Sequence, residues 1–240
     1  MISKTELKEY AKIRNQTLGQ AEKDLFQNVL LFLLYQEHGK ELVFKGGTAL
    51  AKCYGVNRFS EDLDFTATRD IHPEKLITNG LKRYNVAFEY TPERILIQGP
   101  LYTGIRESLC SIRIQISRRE PVHLDPKTVM IRTFTPFLPN FDVIVMDPHE
   151  IFAEKIRALC TREQARDLFD LRMIREFVPP KELVNKKLAY YKKKFSSEAV
   201  QQAIKRKQPI WEKELQYLVA PIPDFDETRQ LVLAAIESIK

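Results

Sequence analysis

Two hydrophobic rhythms meet at Asp147, and this switch limits the fold more than any other feature of the chain. Before it, short apolar or alternating runs recur: LVFK at 42–45, EDLDFTA at 61–67, VAFEY at 86–90, RILIQG at 94–99, SIRIQIS at 111–117, VMIRTF at 129–134 and FDVIVM at 141–146. Runs of this length and alternation predict strands. After it, only helical spacing remains, interrupted at Pro179-Pro180, near Pro209 and around Pro221 and Pro223. A strand cluster followed by a helix cluster predicts an α+β chain. The expected division is a mixed first part, 1–146, and an all-helical second part, 147–240. At 240 residues the chain is long enough to bury a sizeable core.

The first part also carries helices. Ser3 to Asn15 has Ser3 and Glu6 at capping-box spacing. Gln20 to His38 places Leu25, Val29, Phe32 and Leu33 on one face and stops at Gly39. A short helix is expected over Thr48–Tyr54, closed by Gly55, and another over His72–Tyr84, interrupted at Gly80. At the switch, Asp147 caps a helix with Pro148 in its first position and Glu150 at the third, again at capping spacing.

Several function classes are disfavoured. The longest apolar run, VLLFLLY at 29–35, is too short to span a bilayer. The start, MISKTELKEY, is charged from residue 4 and has no signal core. A cytoplasmic protein with no membrane partner is expected. Cys53, Cys110 and Cys160 lack metal-ligand spacing and are expected to be small buried hydrophobes. The four histidines show no pairing pattern, and no Ser-His-Asp order is evident. The net charge of +6 is concentrated: segment 181–207 holds nine Lys/Arg against two Glu, so the rest of the chain is near neutral. With Tyr190, Tyr191 and Phe195 among those lysines, the segment is either a surface for an anionic polymer or a solvated face whose aromatics pack inward.

The chemistry concentrates in FKGGTALAKCYGVNRFSEDLDF, 44–65. In a strand, Asp62 and Asp64 share a face while Leu63 and Phe65 take the other. Two carboxylates side by side repel unless a cation lies between them, and hard oxygen ligands so placed suit Mg²⁺. Gly46, Gly47 and Thr48 stand between a strand and a helix, where bare glycines and a helix N-terminus favour a phosphate. Thr48 can cap that helix or bond a phosphate oxygen. Ser60 falls on the aspartates' side of the predicted strand, and Arg58 would order the loop before it. A glycine pair alone is usually only a turn, and a lone Asp-x-Asp usually a surface strand. It is the order of the two that is specific.

FKGGTAL followed by RFSEDLDF resembles the first two motifs of the AbiEii/AbiGii-type nucleotidyltransferase toxin family, a branch of the DNA polymerase beta-like nucleotidyltransferase superfamily. EKIRALCTREQARDLFDL, 154–171, is similar to its third and fourth motifs. The resemblance implies a nucleotidyltransferase-like mixed sheet with flanking helices, followed by a helical bundle. It implies transfer of a nucleoside monophosphate from an NTP to an acceptor with Mg²⁺ or Mn²⁺. Gly47 and Thr48 would cradle the triphosphate, and Asp62 and Asp64 would bind metal. Lys155 would contact phosphates, while Asp167 would position the acceptor or the lysine. It further implies a cognate antitoxin partner and, with the basic segment, an RNA acceptor. The residues themselves leave alternatives open. Lys155 is equally a surface lysine or a salt-bridge partner, and Asp167 and Asp170 can pair with Arg162, Arg166 or Arg172.

One position departs from the superfamily pattern. A third carboxylate is expected on a later strand, and Gln115 of SIRIQIS stands there instead. An amide oxygen ligates weakly and cannot act as a base. Asp142 on FDVIVM is the alternative third carboxylate. Two other functions stay open on these grounds: a catalytically silent nucleotide- or RNA-binding module, and a transferase acting on a small molecule.

Overall fold

The computed structural model describes residues 2–84, 87–91, 94–98, 109–133 and 138–240. The chain packs as two compact units. The first comprises residues 1–49, 61–121 and 127–145, and the second residues 50–60, 122–126 and 146–240.

In the first unit, α1 (Lys4–Ile13) carries the expected reciprocal capping box between Ser3 and Glu6. A second box, Thr17 with Gln20, starts α2 (Leu18–His38) two residues ahead of the expected start. β1 (Leu42–Lys45) leads into α3 (Gly46–Cys53), which crosses into the second unit. β2 (Leu63–Ala67), α4 (Glu74–Arg83), β3 (Ala87–Thr91) and β4 (Arg94–Gln98) follow. β5 (Leu109–Ile112), β6 (Ile114–Ser117), β7 (Lys127–Ile131) and β8 (Phe141–Val145) complete the unit. The strand ends expected at Val86, Gly99 and Phe134 lie outside the described residues.

The described strands make two sheets. One is mixed, in the order β6-β2-β1-β8-β7, and the other is antiparallel, β3-β4-β5. SIRIQIS is therefore not one strand. The chain leaves the three-stranded sheet at Ile112 and joins the five-stranded sheet at Ile114, with Arg113 at the joint. The alternation persists through the break, so hydropathy alone could not reveal it.

Register fixes what each face of the mixed sheet carries. Phe44 pairs with Phe65 and Val145, and Phe65 pairs with Ile116, so these share one face. The α2 helix covers that face. Tyr35 donates its hydroxyl to the carbonyls of Leu42 and Ile144, and Phe32 meets Phe141 edge-on at 5.5 Å. Lys45, Asp64 and Gln115 lie in a row across the other face. Gly80 does not interrupt α4. It is where α4 meets α2, and an added Cβ would sit 2.5 Å from the Leu33 methyls.

The second unit is helical from α5 (Pro148–Thr161) onward: α6 (Ala165–Met173), α7 (Lys181–Ala189), α8 (Ser197–Lys205), α9 (Trp211–Leu215) and α10 (Phe225–Glu237). The central α5 packs against α6, α7 and α8. Asp147 caps α5 through the His149 N–H, and the His149 ring turns back on the same carboxylate at 2.9 Å. Glu150, expected to close that cap, instead accepts the N–H groups of His123 and Leu124 and pairs with Lys187 at 2.7 Å. No helix among the described residues is long and apolar enough to cross a membrane.

Candidate active site

In the first unit the expected carboxylates and glycines are built into one corner. Gly46 has φ +77, a backbone region that favours glycine, and turns the chain straight from β1 into α3. The glycines are thus the first residues of the helix, not a turn ahead of it. The bare Cα of Gly46 lies against Asp64: an added Cβ would be 2.5 Å from Oδ2. Thr48, the third residue of α3, is buried, and its hydroxyl donates to the Asp62 carbonyl. Asp62 sits one residue before β2, its side chain 30% exposed. Leu63 donates its N–H to the Arg113 carbonyl at 2.8 Å, which ties the start of β2 to the joint between the sheets. Ser60 stands three residues ahead of the strand, in the preceding loop.

Gln115 pairs directly with Asp64 across the parallel β2–β6 ladder and so shares its face. Lys45 pairs with Asp64 from the other side and is nearly buried. A lysine immediately before the glycine pair could have drawn attention in the sequence, and the strand register explains why it matters. Asp142 lies at the far end of its strand. Asp64 is opposite Lys45, one residue beyond the parallel Phe44–Val145 pair, so Asp142 is four positions back from its level, about 13 Å along the strand. It does not replace the missing third carboxylate.

The corner fits a hard divalent cation. Mg²⁺ commonly takes one or two carboxylates and completes its shell with water and phosphate oxygens. Asp64 has the room Gly46 leaves, and Asp62 is open to solvent. Among the described residues no group of three His, Cys, Asp or Glu side chains has metal-ligand geometry. The remaining oxygens would then come from nucleotide and water.

A cleft of about 360 Å³ opens beside Asp62, lined by Lys23, Glu61, Asp62, Arg94, Ser111 and Arg113. Lys23 pairs with Glu61 at 2.9 Å, while Gln27 donates to the Glu61 carbonyl. Arg113 Nε lies 3.8 Å from Asp62 Oδ1, too far for a hydrogen bond. Neither Arg94 nor Arg113 stands out in the sequence, because their proximity depends on the break at the sheet joint.

In the second unit, Arg58, Lys155, Asp167 and Asp170 come together in a buried ionic network. Arg58 grips Asp170 with two bonds, 2.6 and 2.8 Å. Lys155 Nζ bridges Asp167 at 2.9 Å and Asp170 at 2.6 Å, and Arg162 holds Asp167 from its half-exposed side chain. Burial alone would raise both carboxyls. For Asp167 the charges of Lys155 and Arg162 prevail and hold it well below the usual carboxylate range. For Asp170, Arg58 and Lys155 do the same. Arg58, expected to order a loop, is the buried partner of Asp170.

The basic segment is less exposed than its composition suggests. Lys187 and Lys207 are fully buried. Lys187 is held by Glu150 and Glu154, and Lys207 donates to the Arg162 carbonyl at 2.5 Å. Tyr191 packs under Arg157, whereas Tyr190 is exposed. Cys53 and Cys160 are free thiols and half-buried rather than buried; burial pushes the Cys53 thiol up to about 12. The side chain of Cys110 lies outside the described residues.

The chain has the fold of nucleotidyltransferase toxins. MenT4, a nucleotidyltransferase toxin from Mycobacterium tuberculosis H37Rv, superposes with a TM-score of 0.65 over 100% of this chain and 91% of its own, at 19% identity. JHP933 from Helicobacter pylori gives 0.60 over 99% and 92%, at 20% identity. The chain belongs to the nucleotidyl transferase AbiEii toxin family of type IV toxin–antitoxin systems, whose sequence profile matches residues 30–231. No protein of curated function matches it.

Proposed function

We propose that this toxin moves a nucleoside monophosphate from an NTP to an RNA acceptor in the cytoplasm, with Mg²⁺ or Mn²⁺ held by Asp62 and Asp64, and that a cognate antitoxin restrains it. The observation that carries the reading is the fit of the Asp64 carboxylate against the bare Gly46 Cα beside half-open Asp62. The metal would draw charge from phosphate oxygens and favour loss of pyrophosphate.

The chain's own groups would do the positioning. The first turn of α3 offers backbone N–H groups to the triphosphate. Thr48 holds the Asp62 main chain through its carbonyl, which fixes the spacing between turn and carboxylate. Lys155, held by Asp167 and Asp170, is the cation proposed for the substrate's phosphates. To a metal at Asp64, Gln115 can offer only a neutral oxygen.

The test is incubation with each labelled NTP, Mg²⁺ and total cellular RNA, followed by separation of RNA from protein. Label in RNA from one NTP supports the reading. Label in no acceptor across all four, with the protein folded, favours the silent module to which Gln115 points.

A further inference from the structure

We infer that Arg94, Arg113 and Ser111 form a backbone-phosphate site for the acceptor strand, separate from the glycine corner proposed for the NTP. The cleft beside Asp62 is lined by three cationic side chains and two carboxylates. Glu61 is already matched by Lys23. Arg113 makes one long contact, to Asp62, with its side chain 54% exposed. Arg94 is exposed and has no ion pair among the described residues. Among the described residues the cleft therefore holds two guanidinium forks with little to neutralise them, and such forks suit phosphate.

The placement separates this anion from the triphosphate. The cleft is lined by Asp62 but by neither Asp64 nor the Gly46–Thr48 turn. Asp62 is thus shared: its neighbour Asp64 faces the turn, and its own carboxylate borders the cleft. A strand lying in the cleft would bring its reacting hydroxyl to the carboxylate the proposed metal would use. The Arg113–Asp62 contact is exposed and long, so it holds Arg113 only weakly. A cation on Asp62 would repel Arg113 and release it toward phosphate. Ser111 can donate a hydroxyl to the same group. The inference rests on the transferase reading for its direction, but the cleft's affinity for a strand does not depend on turnover.

The test measures binding without catalysis. A fluorescein-labelled 12-nucleotide single-stranded RNA of mixed sequence is titrated with the full chain across a series of NaCl concentrations, by anisotropy. Each phosphate contact contributes about −0.7 to the log–log salt slope. Arg94→Gln with Arg113→Gln should flatten the slope by about 1.4 and weaken binding. Arg113→Lys should keep the slope, because it keeps the charge. ATP affinity, measured by calorimetry on the same proteins, should be unchanged. An unchanged RNA slope and affinity in the double variant overturns the inference. So does a double variant that loses ATP and keeps RNA, which would make the cleft the nucleotide site. If wild-type protein transfers nothing from any NTP yet the double variant loses RNA, the transferase reading fails and the strand site stands.

Discussion

Replacing Gly46 with alanine separates backbone strain from displacement of Asp64. Gly46 has φ +77, where an L-residue costs roughly 1–2 kcal/mol. The new Cβ would also lie 2.5 Å from Asp64 Oδ2. Relief requires the carboxylate to retreat by about 1 Å to reach ordinary contact. A misplacement of that size in a catalytic geometry costs about 100-fold in rate. Gly55 supplies the control. Its φ is +69, and nothing lies within 4 Å of an added Cβ. Gly55→Ala should therefore lose a similar 1–2 kcal/mol in urea unfolding and keep full transfer. Gly46→Ala should lose both that stability and about two orders of magnitude in kcat. Equal kcat in Gly46→Ala and wild type, with the stability loss present, would refute a catalytic carboxylate at Asp64.

Other outcomes follow from the same contacts. Lys155→Met leaves Asp167 and Asp170 short of one buried cation and should cost about 3 kcal/mol in urea unfolding; a loss under 1 kcal/mol would mean the network is not what holds this region. Gln115→Glu places a charge opposite Asp64 and should lower the Mn²⁺ concentration for half-maximal transfer, whereas an unchanged requirement would separate Gln115 from the metal. The folded Asp167 and Asp170 carboxyls are depressed, so their stabilisation is present above the ordinary Asp value near 4 and lost as pH falls below it. Urea midpoints taken from pH 7 to 2 should drop mainly below about pH 4, and less steeply in Asp170→Asn; identical acid slopes in the two proteins would contradict the assignment.

The fold class followed from periodicity because alternation and helical spacing are local properties. The helix caps at Ser3 and Asp147 were visible for the same reason, each resting on residues two or three apart. What periodicity could not show is which strand pairs with which. SIRIQIS keeps its alternation while changing sheets at Arg113, so the cleft with Lys23 and Arg94 has no sequence signature. Lys45 gains its meaning only from the β1–β2 register. Motif order brought Arg58, Lys155, Asp167 and Asp170 into view as candidates, but not that they neutralise one another in a buried network. Counting charges likewise overstated the basic segment, because Lys187 and Lys207 are consumed by internal partners.

The central claim is that Asp62 and Asp64 hold the metal on which transfer depends. It is tested most directly by single-turnover transfer of labelled nucleotide to RNA by wild type, Asp62→Asn and Asp64→Asn, with urea unfolding of each. Both substitutions keep side-chain size and remove one negative charge, so both proteins should remain folded. Each should lose transfer at saturating Mg²⁺. Wild-type turnover in both folded variants would contradict the account.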